Sequence, residues 1–156
     1  MKLLALDTAT EACSAALYRD GAVDERYEVI GRGHATRLLP MADELLRAAG
    51  MTVRDLDAIA FGRGPGGFTG LRIAAGVAQG LAAGIGRPVL PVSDLAALAA
   101  AGARSSGASR ILACMDARMS FRDVDELSQS LGAWLQSLDM ERGARVAVMM
   151  PNLPQY

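Results

Sequence analysis

At 156 residues with 51% hydrophobic side chains, the chain has the length of one ordinary domain and enough apolar material for a core, which excludes a disordered segment. A formal charge of −1 without a basic run argues against nucleic acid held on a basic face of this chain alone. Cys13 and Cys114 sit in apolar runs with no CxxC spacing, which fits two reduced thiols rather than a disulfide framework or a metal site.

In chain order, Lys2–Leu6 reads as a buried strand that stops at Asp7, too short an apolar run for a signal sequence. Cys13–Tyr18 reads as a second strand, and Asp20-Gly21 is a hairpin signal into a third over Val23–Val29. Leu38, Leu39, Ala42, Leu45, Leu46 and Ala49 then recur at helical spacing, with Gly50 placed to cap the helix C-terminus. A fourth strand is expected within Asp55–Phe61, then a glycine loop, then a helix over roughly 70–83. Pro88–Val92 is a short strand, Ser93 an N-cap for an alanine-rich helix through Ala101, and Ile111–Met115 another strand. Three hairpin-linked strands followed by alternating helices and strands predict an α/β layered mixed sheet, antiparallel at first and parallel after. No stretch reads as the 18 or so apolar residues of a membrane span.

The loop contains Gly62, Gly64, Gly66, Gly67, Thr69 and Gly70, and it meets two nucleotide motifs only in part. Gly62, Gly64 and Gly67 satisfy G-x-G-x-x-G, but the next carboxylate is Asp94, too far along to hold a ribose. Gly62, Gly67 and Thr69 fit a phosphate loop, but Phe68 stands where its lysine belongs. The helix after the loop carries Gly76, Gly80 and Gly84 at spacings of four. Glycine inside a helix costs about 1 kcal/mol relative to alanine, so its repetition suggests a close-packed neighbour, in the same domain or in another subunit.

His34 is the only histidine, which rules out a histidine-pair metal site and predicts a solvated residue at the helix start. There is no G-x-S-x-G elbow for a serine nucleophile. Asp7 and Glu11 could act as general bases or ligands, although Asp7 between a strand and Thr8–Thr10 also fits a turn.

Leu4–Ser14, His34–Pro40, Gly62–Arg72, Ala78–Ala82 and Asp116–Met119 together resemble the TsaB (YeaZ) family across residues 1–119. These are dimerisation subunits of the bacterial machinery that makes threonylcarbamoyladenosine in tRNA. The resemblance implies an actin/sugar-kinase/Hsp70-like first lobe to about residue 105, the start of a truncated second lobe, and a cytoplasmic location. It implies no catalysis and no cofactor: Asp94 and Leu98 stand where the catalytic paralogue TsaD carries its metal-binding histidine pair. The implied partners are that paralogue, a TsaE-like ATPase, a second copy through the same helices, and tRNA only through the complex, with no membrane. Leu38, Leu45, Ile73, Gly76 and Gly80 fall on the helices expected at the interface. Asp7, Thr8 and Thr10 are candidate nucleotide contacts, and Asp7 and Thr8 with the glycine loop ground an alternative reading as a nucleotide-dependent enzyme of the same superfamily.

After Met119 the pattern changes. Val124, Leu127, Leu131, Trp134, Leu135 and Leu138 predict an amphipathic helix, and Ala144–Met150 a strand. Asp125–Ser128 and Arg142–Asn152 resemble the start of AMP-forming long-chain acyl-CoA synthetases, without the phosphate loop that adenylation requires. Residues 120–156 therefore read as a foreign segment, and the whole as a fusion of two truncated genes.

Overall fold

In the computed structural model, β1 (Lys2–Asp7), β2 (Ala12–Arg19) and β3 (Ala22–Val29) form an antiparallel meander. Asp20 and Gly21 turn β2 into β3 at φ of 48° and 99°, the positive pair that a two-residue hairpin needs. α1 (His34–Ala48) returns across the sheet to a short 3₁₀ turn (Val53–Asp55) and β4 (Ala58–Gly62). α2 (Phe68–Ile85), β5 (Val89–Val92), α3 (Asp94–Ser106), β6 (Arg110–Ala113) and β7 (Val146–Met149) complete the described elements. The structure describes residues 1–115, residue 133 and residues 146–149; apart from Ala133, the predicted helix over 124–138 lies outside them.

The chain divides into two compact units, Met1–Ala97 and Leu98–Tyr156, with the division inside α3. In the first unit the sheet order is β3-β2-β1-β4-β5, with β4 and β5 parallel to β1, the mixed sheet expected. In the second, β6 pairs in parallel with β7, in register Arg110 to Val146 through Ala113 to Met149.

Strand alternation places Leu4 and Leu6 of β1, Cys13, Ala15 and Leu17 of β2, and Ile59 of β4 on one face, where all are buried. α1 covers that face with Leu38, Met41, Ala42, Leu45 and Leu46, and α2 with Ala74, Ala78 and Ala82. Alanines at spacings of four let α2 lie close to the strands, which is why so apolar a helix still turns a largely exposed side outward.

Several boundaries differ from expectation. Asp55 belongs to the 3₁₀ turn, where its carboxylate accepts from the Thr52 amide (2.8 Å) and hydroxyl (2.9 Å), and β4, starting at Ala58 inside the expected span, runs one residue beyond it to Gly62. α3 runs on to Ser106 and β6 ends at Ala113. α2 starts at Phe68, making Thr69 and Gly70 part of its first turn rather than of the loop. At 18 residues, α2 is also long and apolar enough by length and composition to cross a membrane, contrary to the expectation that no stretch is. Gly50 does cap α1, at φ +65°, donating to the Arg47 carbonyl (3.0 Å) while Met51 donates to that of Leu46 (2.8 Å).

Candidate functional site

The parallel strands β1, β4 and β5 end side by side, and three residues meet there: Asp7 ending β1, Gly62 ending β4, and Asp94 opening α3 just after β5. Crevices at the carboxyl ends of parallel strands are where such sheets bind ligands. Gly62 is glycine for space: a Cβ there would overlap Asp7 Oδ2 and fall 2.5 Å from Asp94 Oδ1. Asp7 Oδ1 accepts from the Ala9 amide (2.8 Å), the turn role foreseen for it. The Asp94 amide donates to the Gly64 carbonyl (3.0 Å), while its Oδ2 is shielded and accepts from nothing. Burial, then the Asp7 charge and hydrogen bond, push the Asp94 carboxyl up to about 7. The pair faces a groove of about 270 Å³ on the sheet face opposite the helices, lined by Ala5, Ser14, Ala16, Tyr27 and Ala60.

Thr8 and Thr10 are spent inside the fold. Thr8 is 1% exposed and its hydroxyl donates to the Gly70 carbonyl (2.7 Å), which corrects its assignment as a nucleotide contact. Thr10 Oγ1 accepts from the Ala12 amide (3.2 Å). The glycine loop lies against the same turn, with Gly66 beside Ala9 and the Gly67 amide donating to the Ala9 carbonyl (2.7 Å). Gly64, at φ +98°, faces Leu71. Gly70 is the tightest point: a Cβ on it would overlap the Thr8 carbonyl oxygen and reach 3.0 Å from its carbon. The loop thus fastens the start of α2 to the end of β1.

That fastening presents the outer face of α2. Phe68 is 73% exposed, with the Arg72 guanidinium 3.3 Å from its ring centroid. Gly76, Gly80 and Gly84 follow along the helix, exposed, with nothing within 4 Å of where a Cβ would stand. Among the described residues nothing fills the stripe. Ile73 is half-buried against the core. Leu38 and Leu45 correct the expectation that they lie at an interface: they are 0% and 1% exposed in the lobe's own core. On α1 the exposed residues include Leu39 and Pro40, which line a groove of about 670 Å³ together with Leu46, Met51, Val53 and Leu81.

Arg37 ties α1 to the edge strand β3. Its Nε donates to Glu28 (2.8 Å), its Nη1 to Glu44 (2.6 Å), and its Nη2 to both carboxylates. Those hydrogen bonds hold both glutamates below their ordinary carboxylate range. Sequence spacing carried no sign of this bridge.

A metal does not fit the donors present. Asp94 and Leu98 offer one carboxylate and a hydrocarbon, and among the described residues no three His, Cys, Asp or Glu side chains gather. His34 is half-buried with Nε2 shielded and unpartnered, rather than solvated as expected. Cys13 is fully buried and burial pushes its thiol up, as suits an inert core residue; Cys114 is half-buried and free.

Comparison with known proteins fits this arrangement. Residues 27–121 match the model of the TsaD family, tRNA N6-adenosine threonylcarbamoyltransferase, and residues 99–156 match that of AMP-binding enzymes. The chain is 50% identical over 119 residues to the tRNA threonylcarbamoyladenosine biosynthesis protein TsaB of Escherichia coli, covering 76% of this chain and 52% of that one. Its TsaB counterpart in Haemophilus influenzae is also 50% identical over 119 residues, covering 50% of that protein. Among solved structures, YeaZ from Pseudomonas aeruginosa superposes with a TM-score of 0.72 at 61% identity, covering 76% of this chain and 55% of that one. The chain thus spans about half the length of the relatives it matches.

Proposed function

Since this chain belongs to the TsaD (tRNA N6-adenosine threonylcarbamoyltransferase) family, we propose that it serves tRNA threonylcarbamoyladenosine synthesis as a non-catalytic, partner-binding subunit. It presents the outer face of α2, flanked by Leu39 and Pro40 of α1, to a catalytic relative of the TsaD type. The observation that carries this reading is the open stripe Gly76-Gly80-Gly84, which is unfilled by its own lobe and shaped for a second helix at close range. In this reading the chain works in the cytoplasm without a cofactor, meets tRNA only inside the complex with a TsaE-like ATPase, and self-associates through the same helices when the partner is absent.

Size-exclusion chromatography with light scattering on the chain mixed with a TsaD-type partner tests it. A one-to-one complex is expected. A monodisperse chain that elutes apart from the partner overturns the reading. It would favour the second one, an inert joining of two truncated coding sequences, to which the meeting of two family matches between residues 99 and 121 gives some support.

A further inference from the structure

Asp7 and Asp94 bring two carboxyls together beside Gly62, and the place they occupy is where α3 leaves the sheet. Gly62 makes their approach feasible, since any side chain there would displace both. The backbone holds Asp94 in position on its own account, through its amide on the Gly64 carbonyl and through Ser93, whose oxygens accept from the amides of Ala96 (3.4 Å) and Ala97 (2.9 Å). The first turn of α3 therefore presses one carboxyl against the other.

Arg26 is the one cation lining the groove that the pair faces, and it is hydrogen-bonded to neither carboxyl. Across the groove, β3 contributes Glu25, Arg26 and Tyr27, and the Arg26 guanidinium donates to the Glu25 carbonyl (2.9 Å). β4 and β5 contribute only Ala60, Phe61, Gly62 and Val92, none of which titrates. Two ionised carboxylates in contact, one of them with a shielded and unpartnered oxygen, repel each other; a single shared proton turns the same contact into a hydrogen bond.

We propose that Asp7 and Asp94 form a proton-operated clasp, which fastens the first turn of α3 to the end of the sheet while the pair holds one proton and loosens it when both are ionised. The clasp is independent of what binds to α2. Its working range follows from Asp94, pushed up to about 7 by burial and by Asp7. A carboxyl raised in the folded state favours the fold fully below the ordinary carboxylate range, and that contribution is lost as pH rises through about 7.

Amide hydrogen exchange on the full chain between pH 5.5 and 8.5, with ¹³C titration of the carboxyls, tests the clasp. After correction for base-catalysed intrinsic exchange, Ala96 and Ala97 are expected to lose about tenfold in protection across that range, with a midpoint near 7. The α2 amides are expected to stay level, and Asp94→Asn to abolish the pH dependence. Level protection at Ala96 and Ala97 in the unmodified chain, or Asp94 titrating below about pH 5, overturns the proposal. If Asp94→Asn fails to fold, Asp7→Asn decides. It keeps the acceptor for Ala9 but removes the second charge, so the Asp94 midpoint should fall by at least about one unit; an unmoved midpoint overturns the clasp.

Discussion

Replacing Gly76 and Gly80 together with leucine leaves the lobe as stable as before or more so, by up to about 1 kcal/mol per site, while weakening partner binding at least about 30-fold. The two effects have opposite signs for one reason. Both glycines lie inside an 18-residue helix, where glycine costs backbone entropy, and neither has a neighbour within 4 Å that leucine would strike. The added side chains therefore start in open space among the described residues, and on the proposed reading they stand where the partner helix approaches. Urea denaturation and isothermal titration calorimetry on the same preparation separate the two quantities. Leu45→Ala makes the contrast: it opens a cavity in the core and lowers stability by about 2–5 kcal/mol. A double variant that binds with unchanged affinity removes the glycine stripe from the interface.

Gly70→Ala is expected to destabilise the lobe by at least about 3 kcal/mol, lowering its melting temperature by roughly 10 °C or more. The added methyl would occupy the position of the Thr8 carbonyl oxygen, a backbone atom rather than a movable side-chain end. Thr8 cannot yield easily, because its own hydroxyl is bonded to Gly70 and Ala9 is held by Gly67. Gly84→Ala, in open space on the same helix, is expected to be neutral or stabilising. Differential scanning calorimetry of the two alanine variants makes the comparison directly. Equal melting temperatures would mean that the loop does not fasten α2 to β1.

Most of the first lobe was legible because local chemistry and tertiary environment agree there. Asp20-Gly21 is hairpin chemistry in any context, and alternation in β1 and β2 marks the buried face residue by residue. The start of α2 was not legible. Helix propensity places it after the glycines, but tertiary ties from Thr8 and Ala9 draw Phe68 to Gly70 into the first turn. Periodicity picked out Leu38 and Leu45 as one apolar face without saying whether the sheet or a partner covers it; the sheet does. The Gly76 and Gly80 stripe carried the opposite ambiguity, and proved to face outward. The pairing of Asp7 with Asp94 had no local trace at all. It arises from the parallel packing of β1, β4 and β5, which gathers strand ends far apart in sequence.

On the proposed reading a catalytic partner docks on the outer face of α2, beside the exposed Leu39 and Pro40 of α1. Hydrogen exchange of this chain alone and saturated with a TsaD-type partner reads that face most directly. Protection is expected to rise along Phe68–Ile85 and around Leu39 and Pro40, with the β3 edge at Val23–Val29 unchanged. Protection confined to β3 or β5, with α2 exchanging as in the free chain, would contradict it.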